Sequence, residues 1–113
     1  MSRSSLADTL SDTALQIEQR LQMGDRLEVA RVVDHFAIFR SKGAASTAAD
    51  ALRALGYTVE VRTKLFSTTL EASKPERLDA SEPDRFVREV FEVVERNHGS
   101  YDGWGGEVEM PGD

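Results

Sequence analysis

Hydrophobic positions along this chain change period several times, and the changes divide it into elements. Leu6, Leu10, Ala14, Ile17 and Leu21 recur at spacings of three and four, one stripe on a helical period, and predict an amphipathic helix. Ser5 followed by Asp8 forms a capping-box-like start, and Gly24 stands where a left-handed C-cap is wanted. From Leu27 to Phe39 the β-formers dominate. Val32, Phe36 and Ile38 fall on one alternating face and Val33, Ala37 and Phe39 on the other, which predicts a central strand covered on both sides.

Lys42-Gly43 breaks that strand. Ala45, Ala48, Ala49, Leu52 and Leu55 then predict a second helix, with Gly56 as its stop. Tyr57, Val59 and Val61 alternate with polar residues as a half-buried strand over 57–62. Phe66, Thr68, Leu70 and Ala72 alternate likewise, so 66–72 reads as its hairpin partner. Lys74-Pro75 closes that strand. Ser81, early acids and Pro83 in the first turn announce a third helix, whose buried face is Phe86, Val87, Val90, Phe91, Val93 and Val94. Asn97-His98-Gly99 ends it, and Val108 and Met110, alternating with Glu107 and Glu109, read as a short last strand.

The order is a helix followed by β-α-β-β-α-β. The fold class is α+β, with the ferredoxin-like split βαβ arrangement: a four-stranded antiparallel sheet, two crossover helices on one face, and an extra N-terminal helix. That extra helix is expected to cover part of the other face. A length of 113 residues fits a single domain spanning 1–113.

Composition narrows the chemistry. The absence of cysteine excludes a disulfide framework, a thiol nucleophile and a Cys-ligated metal. No apolar run reaches the roughly 18 residues of a membrane span, and the N-terminus does not read as a signal peptide. The expected location is therefore the cytoplasm, with no membrane partner. The net charge of -6 is uneven: residues 1–75 carry nine acids and ten bases, residues 76–113 eleven acids and four bases. Direct nucleic-acid binding is disfavoured for such a chain, and the acidic last third suits a basic protein surface.

Catalytic constellations are missing. Asp34 and His35 are adjacent in a strand and point to opposite faces, so they form no direct dyad. His98 sits at a helix end, where a capping role suffices. No phosphate loop, GxSxG elbow or metal-ligand spacing occurs, and neither cofactor nor metal is expected. The unusual segment is Gly99-Ser100-Tyr101-Asp102-Gly103-Trp104-Gly105-Gly106. As a turn, it would let Trp104 fold back as a core plug; as a rigid surface feature, it would present Trp104 as an interface anchor.

Tyr101-Asp102-Gly103-Trp104-Gly105 resembles the YDGWG signature of the regulator of ribonuclease E activity B family. Val33-Asp34-His35-Phe36 resembles that family's hydrophobic-acid-His strand. Ala51 to Val59 resembles its helix-to-strand passage with Gly-Tyr-x-Val. The resemblance runs over nearly the whole chain. It implies a cofactor-free, non-enzymatic protein that binds the endoribonuclease starting bacterial RNA decay and lowers its activity. On this reading the expected contact residues are Tyr101, Asp102 and Trp104 with His35, joined by Glu89, Glu92 and Glu95. Asp34, Gly103 and Gly105 then shape the motif. A small-ligand sensor remains the other reading, favoured by an apolar cavity lined by Tyr101 and His35. An enzyme would instead need Asp34, His35 and Asp102 in one polar cluster. Single ferredoxin-like domains leave a sheet face that a second copy can cover, so a homodimer is a companion expectation.

Overall fold

The computed structural model describes residues 5–111. Its elements run α1 (Leu6–Gln22), β1 (Arg31–Phe39), α2 (Lys42–Ala54), β2 (Thr58–Thr63), β3 (Thr68–Glu76), α3 (Glu82–Arg96) and β4 (Ser100–Gly106). The strands form one antiparallel sheet in the order β2-β3-β1-β4. This is the predicted α+β arrangement, with α2 and α3 packed on one face of the sheet.

Local chemistry sets the helix starts. Ser5 Oγ accepts from the Asp8 N–H at 3.0 Å and opens α1, and Ser41 Oγ accepts from Ala44 N–H at 3.2 Å and opens α2. Ser81, expected to cap α3, makes no side-chain cap bond; Pro83 in the first turn and the early acids Glu82 and Asp84 start that helix without it. Along α3, Phe86, Val87, Val90, Phe91, Val93 and Val94 are buried as the periodicity requires. They meet Leu52, Ala48 and Ala49 of α2 and the inner sheet residues Val33, Ala37, Phe39, Leu70 and Ala72.

Four expectations are corrected. First, β1 is not covered on both sides. Its inner residues are buried, but Val32, Phe36 and Ile38 on the other face are 54%, 40% and 43% exposed. The extra helix α1 packs against α3, on the helix side of the sheet. Its inward face is also more polar than the stripe suggested: Thr9, Thr13 and Arg20 are buried, whereas Ala14 and Leu21 are exposed. Thr9 donates to Ser5 O within the helix, whereas Thr13 and Arg20 have specific partners at Trp104 and Asp25, which hydropathy alone does not anticipate.

Second, Phe66 is not a strand residue. β3 starts at Thr68, and Leu65 and Phe66 form the exposed tip of the β2–β3 hairpin. At its other end β3 runs through Pro75 to Glu76, with Pro75 opposite Val32. Third, the last strand is Ser100–Gly106, not the Val108–Met110 segment. Residues 107–110 are held instead as an irregular segment, tied by Arg26 N–H to Glu109 O at 2.8 Å. Fourth, Asp102–Gly105 is not a turn but the middle of that strand.

The glycine-rich strand has a packing reason. A Cβ on Gly99 would lie 2.4 Å from the fully buried Phe39 ring. Only glycine lets α3 pass into β4 at this distance.

Candidate functional site

The signature segment is built around a β-bulge. β4 pairs with β1 as His35 with Trp104, Phe36 with Gly103 and Ala37 with Tyr101, so Asp102 is the extra residue. Three positions separate Tyr101 from Trp104. In a regular strand they would face opposite sides. The bulge re-aims the chain so that both rings enter the core, opposite His35 and Ala37. Gly103 makes this possible: its φ of 114° lies where side chains are disfavoured. Gly105 has no such requirement, since a Cβ there would meet nothing within 4 Å.

Under the bulge lies an aromatic cluster. Trp104 is 8% exposed; its ring meets the edge of Phe86 at 5.2 Å, and its Nε1–H donates to Thr13 Oγ1 at 3.1 Å. Arg20 lies over the same ring, 5.4 Å from its centre. His35 Nδ1 and the Tyr101 hydroxyl share a hydrogen bond of 2.7 Å, and the rings of Phe86 and Tyr57 meet His35 edge-on. His35 Nε2 has no hydrogen-bond partner. His35, Tyr101 and Trp104 are thus brought together, but inside the protein.

Burial pushes the His35 pKa down from 6.5 to about 3, so the imidazole is neutral in the fold. Between those values the unfolded chain binds a proton that the folded chain does not. Stability is therefore complete above about pH 6.5 and declines as pH falls toward 3, by up to about 5 kcal/mol across the window. His35→Gln should flatten this slope. Urea unfolding of both proteins at about pH 6 and about pH 4.5 checks it; equal pH dependence in the two would show that His35 is not the titrating group.

On the outside of the bulge the chemistry differs. Asp102 is exposed beside Phe36, and the two residues line both of two neighbouring grooves, about 330 Å³ and 250 Å³ in volume. The first groove runs between β4 and α1, past Asp12 and Gln16; the second crosses the sheet past Ile38, Glu60 and Glu71. Asp34 is on this outer face and accepts from the Ser73 hydroxyl at 2.6 Å. The result is an apolar stripe, Val32, Phe36 and Ile38, rimmed by Asp34, Glu60, Glu71 and Asp102. Arg62 is the cation among them, 3.4 Å from Glu60. Among the described residues no element crosses this face.

Asp34, His35 and Asp102 do not form one cluster, because His35 points inward and the two carboxylates outward. Tyr101 and Trp104 contribute to the wall of the first groove, but His35 does not: its Nδ1 meets the Tyr101 hydroxyl in direct contact inside the core. Among the described residues no His/Cys/Asp/Glu group is placed to hold a metal ion.

The α3 acids lie on the other side of the molecule, and most are paired. Arg85 bridges Glu82 at 2.8 Å and Glu89 at 3.3 Å and also meets Glu76; Arg88 pairs with Asp84 and Arg96 with Glu92. Glu95 is half-buried. Their field toward solvent is correspondingly weaker than the count of carboxylates suggests.

Sequence reasoning missed Phe36, Ile38 and Val32 as surface residues. The available signal was the glycine content of β4. With Gly103 and Gly105 facing outward beside Phe36 and Asp34, the neighbouring strand supplies no side chains to cover that stripe.

No curated protein matches this chain. The family model described as Regulator of ribonuclease activity B matches residues 11–106, most of the aromatic core and the whole of the bulged strand included, and the chain belongs to that family.

Proposed function

We propose that this protein is a non-catalytic cytoplasmic regulator that lowers the activity of an E-type endoribonuclease by direct contact, and that the contact is made by the open face of the sheet. The whole chain acts as one domain in this reading. The observation that carries the surface assignment is the exposed stripe of Val32, Phe36 and Ile38 inside a rim of carboxylates. Apolar side chains at the centre of a polar rim are the composition of a protein interface, and aromatic anchors supply most of the binding energy there. The acidic rim fits a partner surface whose apolar contacts are flanked by lysine or arginine.

Of the signature residues, Asp102 acts at the surface, while Tyr101, Trp104 and His35 hold the bulge that presents it. Glu89, Glu92 and Glu95 contribute at most long-range attraction, because arginines on the same helix partly neutralise them. A second copy of this chain suits the face less well, since it would set the same carboxylates against one another.

Phe36→Ser tests this surface. Its side chain is on the outer face, so the fold is expected to survive. Affinity for the purified ribonuclease should fall at least about tenfold, as for loss of a central aromatic anchor. An unchanged dissociation constant with intact folding would move the contact elsewhere.

A further inference from the structure

The β2–β3 connection is a tight hairpin. Thr63 pairs with Thr68, and the Lys64 N–H donates to Ser67 O at 2.7 Å, which leaves Leu65 and Phe66 as the tip. Two-residue hairpin loops favour Asn-Gly and related pairs, so turn chemistry does not explain Leu-Phe. Packing does not explain it either, because both side chains are 87% exposed. Adjacent large apolar residues at that exposure mark a contact.

Sheet register sets the charges around this tip. Phe39, Thr68 and Thr63 lie side by side across β1, β3 and β2. Arg40 and Lys42, which follow β1, therefore leave the sheet at the same end as Lys64. Among the described residues none of these three cations has a carboxylate partner, whereas Arg85, Arg88 and Arg96 of α3 are all paired. In a protein of net charge -6, three cations without a carboxylate partner thus share the end of the sheet that carries a bare apolar tip.

We propose that this hairpin is a peripheral membrane contact: Leu65 and Phe66 enter the headgroup–acyl boundary of a bilayer whose anionic headgroups face Arg40, Lys42 and Lys64. A convex tip suits a fluid lipid surface, which yields to it; a protein partner would need a cleft of matching shape with an acidic rim. Interfacial binding grows with inserted apolar area and with attraction of Lys and Arg to anionic lipid. No helix of the described residues is long and apolar enough to cross a membrane, and this mode requires none. It is separate from the sheet face and does not depend on the ribonuclease reading.

Co-sedimentation of the full chain with phosphatidylcholine vesicles, with and without phosphatidylglycerol, tests the proposal. Binding should be several-fold stronger to the anionic vesicles and should weaken as salt rises past about 0.15 M. The double variant Leu65→Ser/Phe66→Ser should lose it, with an unchanged circular dichroism spectrum. Lys64→Glu should weaken it at least about fivefold, on anionic vesicles alone. Equal binding to neutral and anionic vesicles, or full binding by the tip variant, would overturn the proposal. So would loss of ribonuclease inhibition in the tip variant when the unaltered protein ignores vesicles, an outcome that assigns the tip to a protein contact.

Discussion

Replacing Trp104 with alanine is expected to lower the free energy of unfolding by about 3–5 kcal/mol. The ring is the largest side chain in the chain's small core and is placed there by the Asp102 bulge. Alanine would remove its edge contact with Phe86, leave the buried Thr13 hydroxyl without its donor, and strip Arg20 of the ring beneath it. No neighbouring element can collapse into the space easily, because α1, α3 and β1 are each fixed by other contacts. Thr13→Ala, which removes the acceptor of the Trp104 N–H and the donor to Thr9 O but leaves the ring in place, should cost less, about 1–2 kcal/mol. Denaturant unfolding separates the two. If Trp104→Ala keeps full stability and instead abolishes partner binding, the ring is an interface anchor and the bulge has been misassigned.

Asp25→Ala should have an effect of similar size, about 3–5 kcal/mol, for an electrostatic reason. Asp25 is buried between two arginines. Arg31 Nη1 reaches both of its carboxylate oxygens at 2.8 Å, Arg20 Nη1 donates to Oδ2 at 3.1 Å, and the Glu109 N–H donates to Oδ1 at 3.2 Å. The same arginines hold the chain after β4: Arg20 bonds Gly106 O at 2.8 Å and Arg31 bonds Glu107 O at 2.9 Å. Removing the carboxylate leaves two buried cations unpaired and frees the end of α1, the start of β1 and the segment after β4 together. Burial by itself would raise the Asp25 pKa; the hydrogen bonds from Arg31, Arg20 and the Glu109 N–H, with the charge of Arg31, outweigh it and hold the carboxyl below 3.8. This stabilisation is therefore complete above the ordinary carboxylate range and is lost only as pH falls below it. Arg20→Met should be milder, at about 1–3 kcal/mol, because Arg31 still pairs the carboxylate. Urea titration at neutral pH measures both variants. A cost below about 1 kcal/mol for Asp25→Ala would mean that water replaces the lost charge and that the cluster is not structural.

The parts of this fold that were legible in the sequence are those where one physical signal dominates. The α3 stripe, the alternation in β2 and the inner face of β1 each follow from burial against a single layer. The end of the chain was not legible. Val108 and Met110 alternate with glutamates as a strand would, whereas Ser100–Gly106 has the glycines of a loop. The glycines are there because Phe39 crowds position 99 and because position 103 takes a positive φ at the bulge. The open sheet face was hidden for a related reason: an apolar residue on a strand reads as buried, and only the pairing of Phe36 with a glycine shows that its side stays bare. The Arg20–Asp25–Arg31 cluster had no sequence signal, since its members come together only when α1 and β1 are already in place. Of the candidate contact residues, the motif was found, but its division into inward rings and an outward carboxylate depends on a one-residue register shift.

The most direct test of the regulatory reading is the rate at which a purified E-type endoribonuclease cleaves a short RNA in the presence of this protein. The unaltered chain should slow cleavage in proportion to the enzyme it occupies. Phe36→Ser should restore most of the rate at equal concentration, and a buried-core variant that still folds should not. A cleavage rate unaffected by saturating unaltered protein would contradict ribonuclease regulation by direct contact.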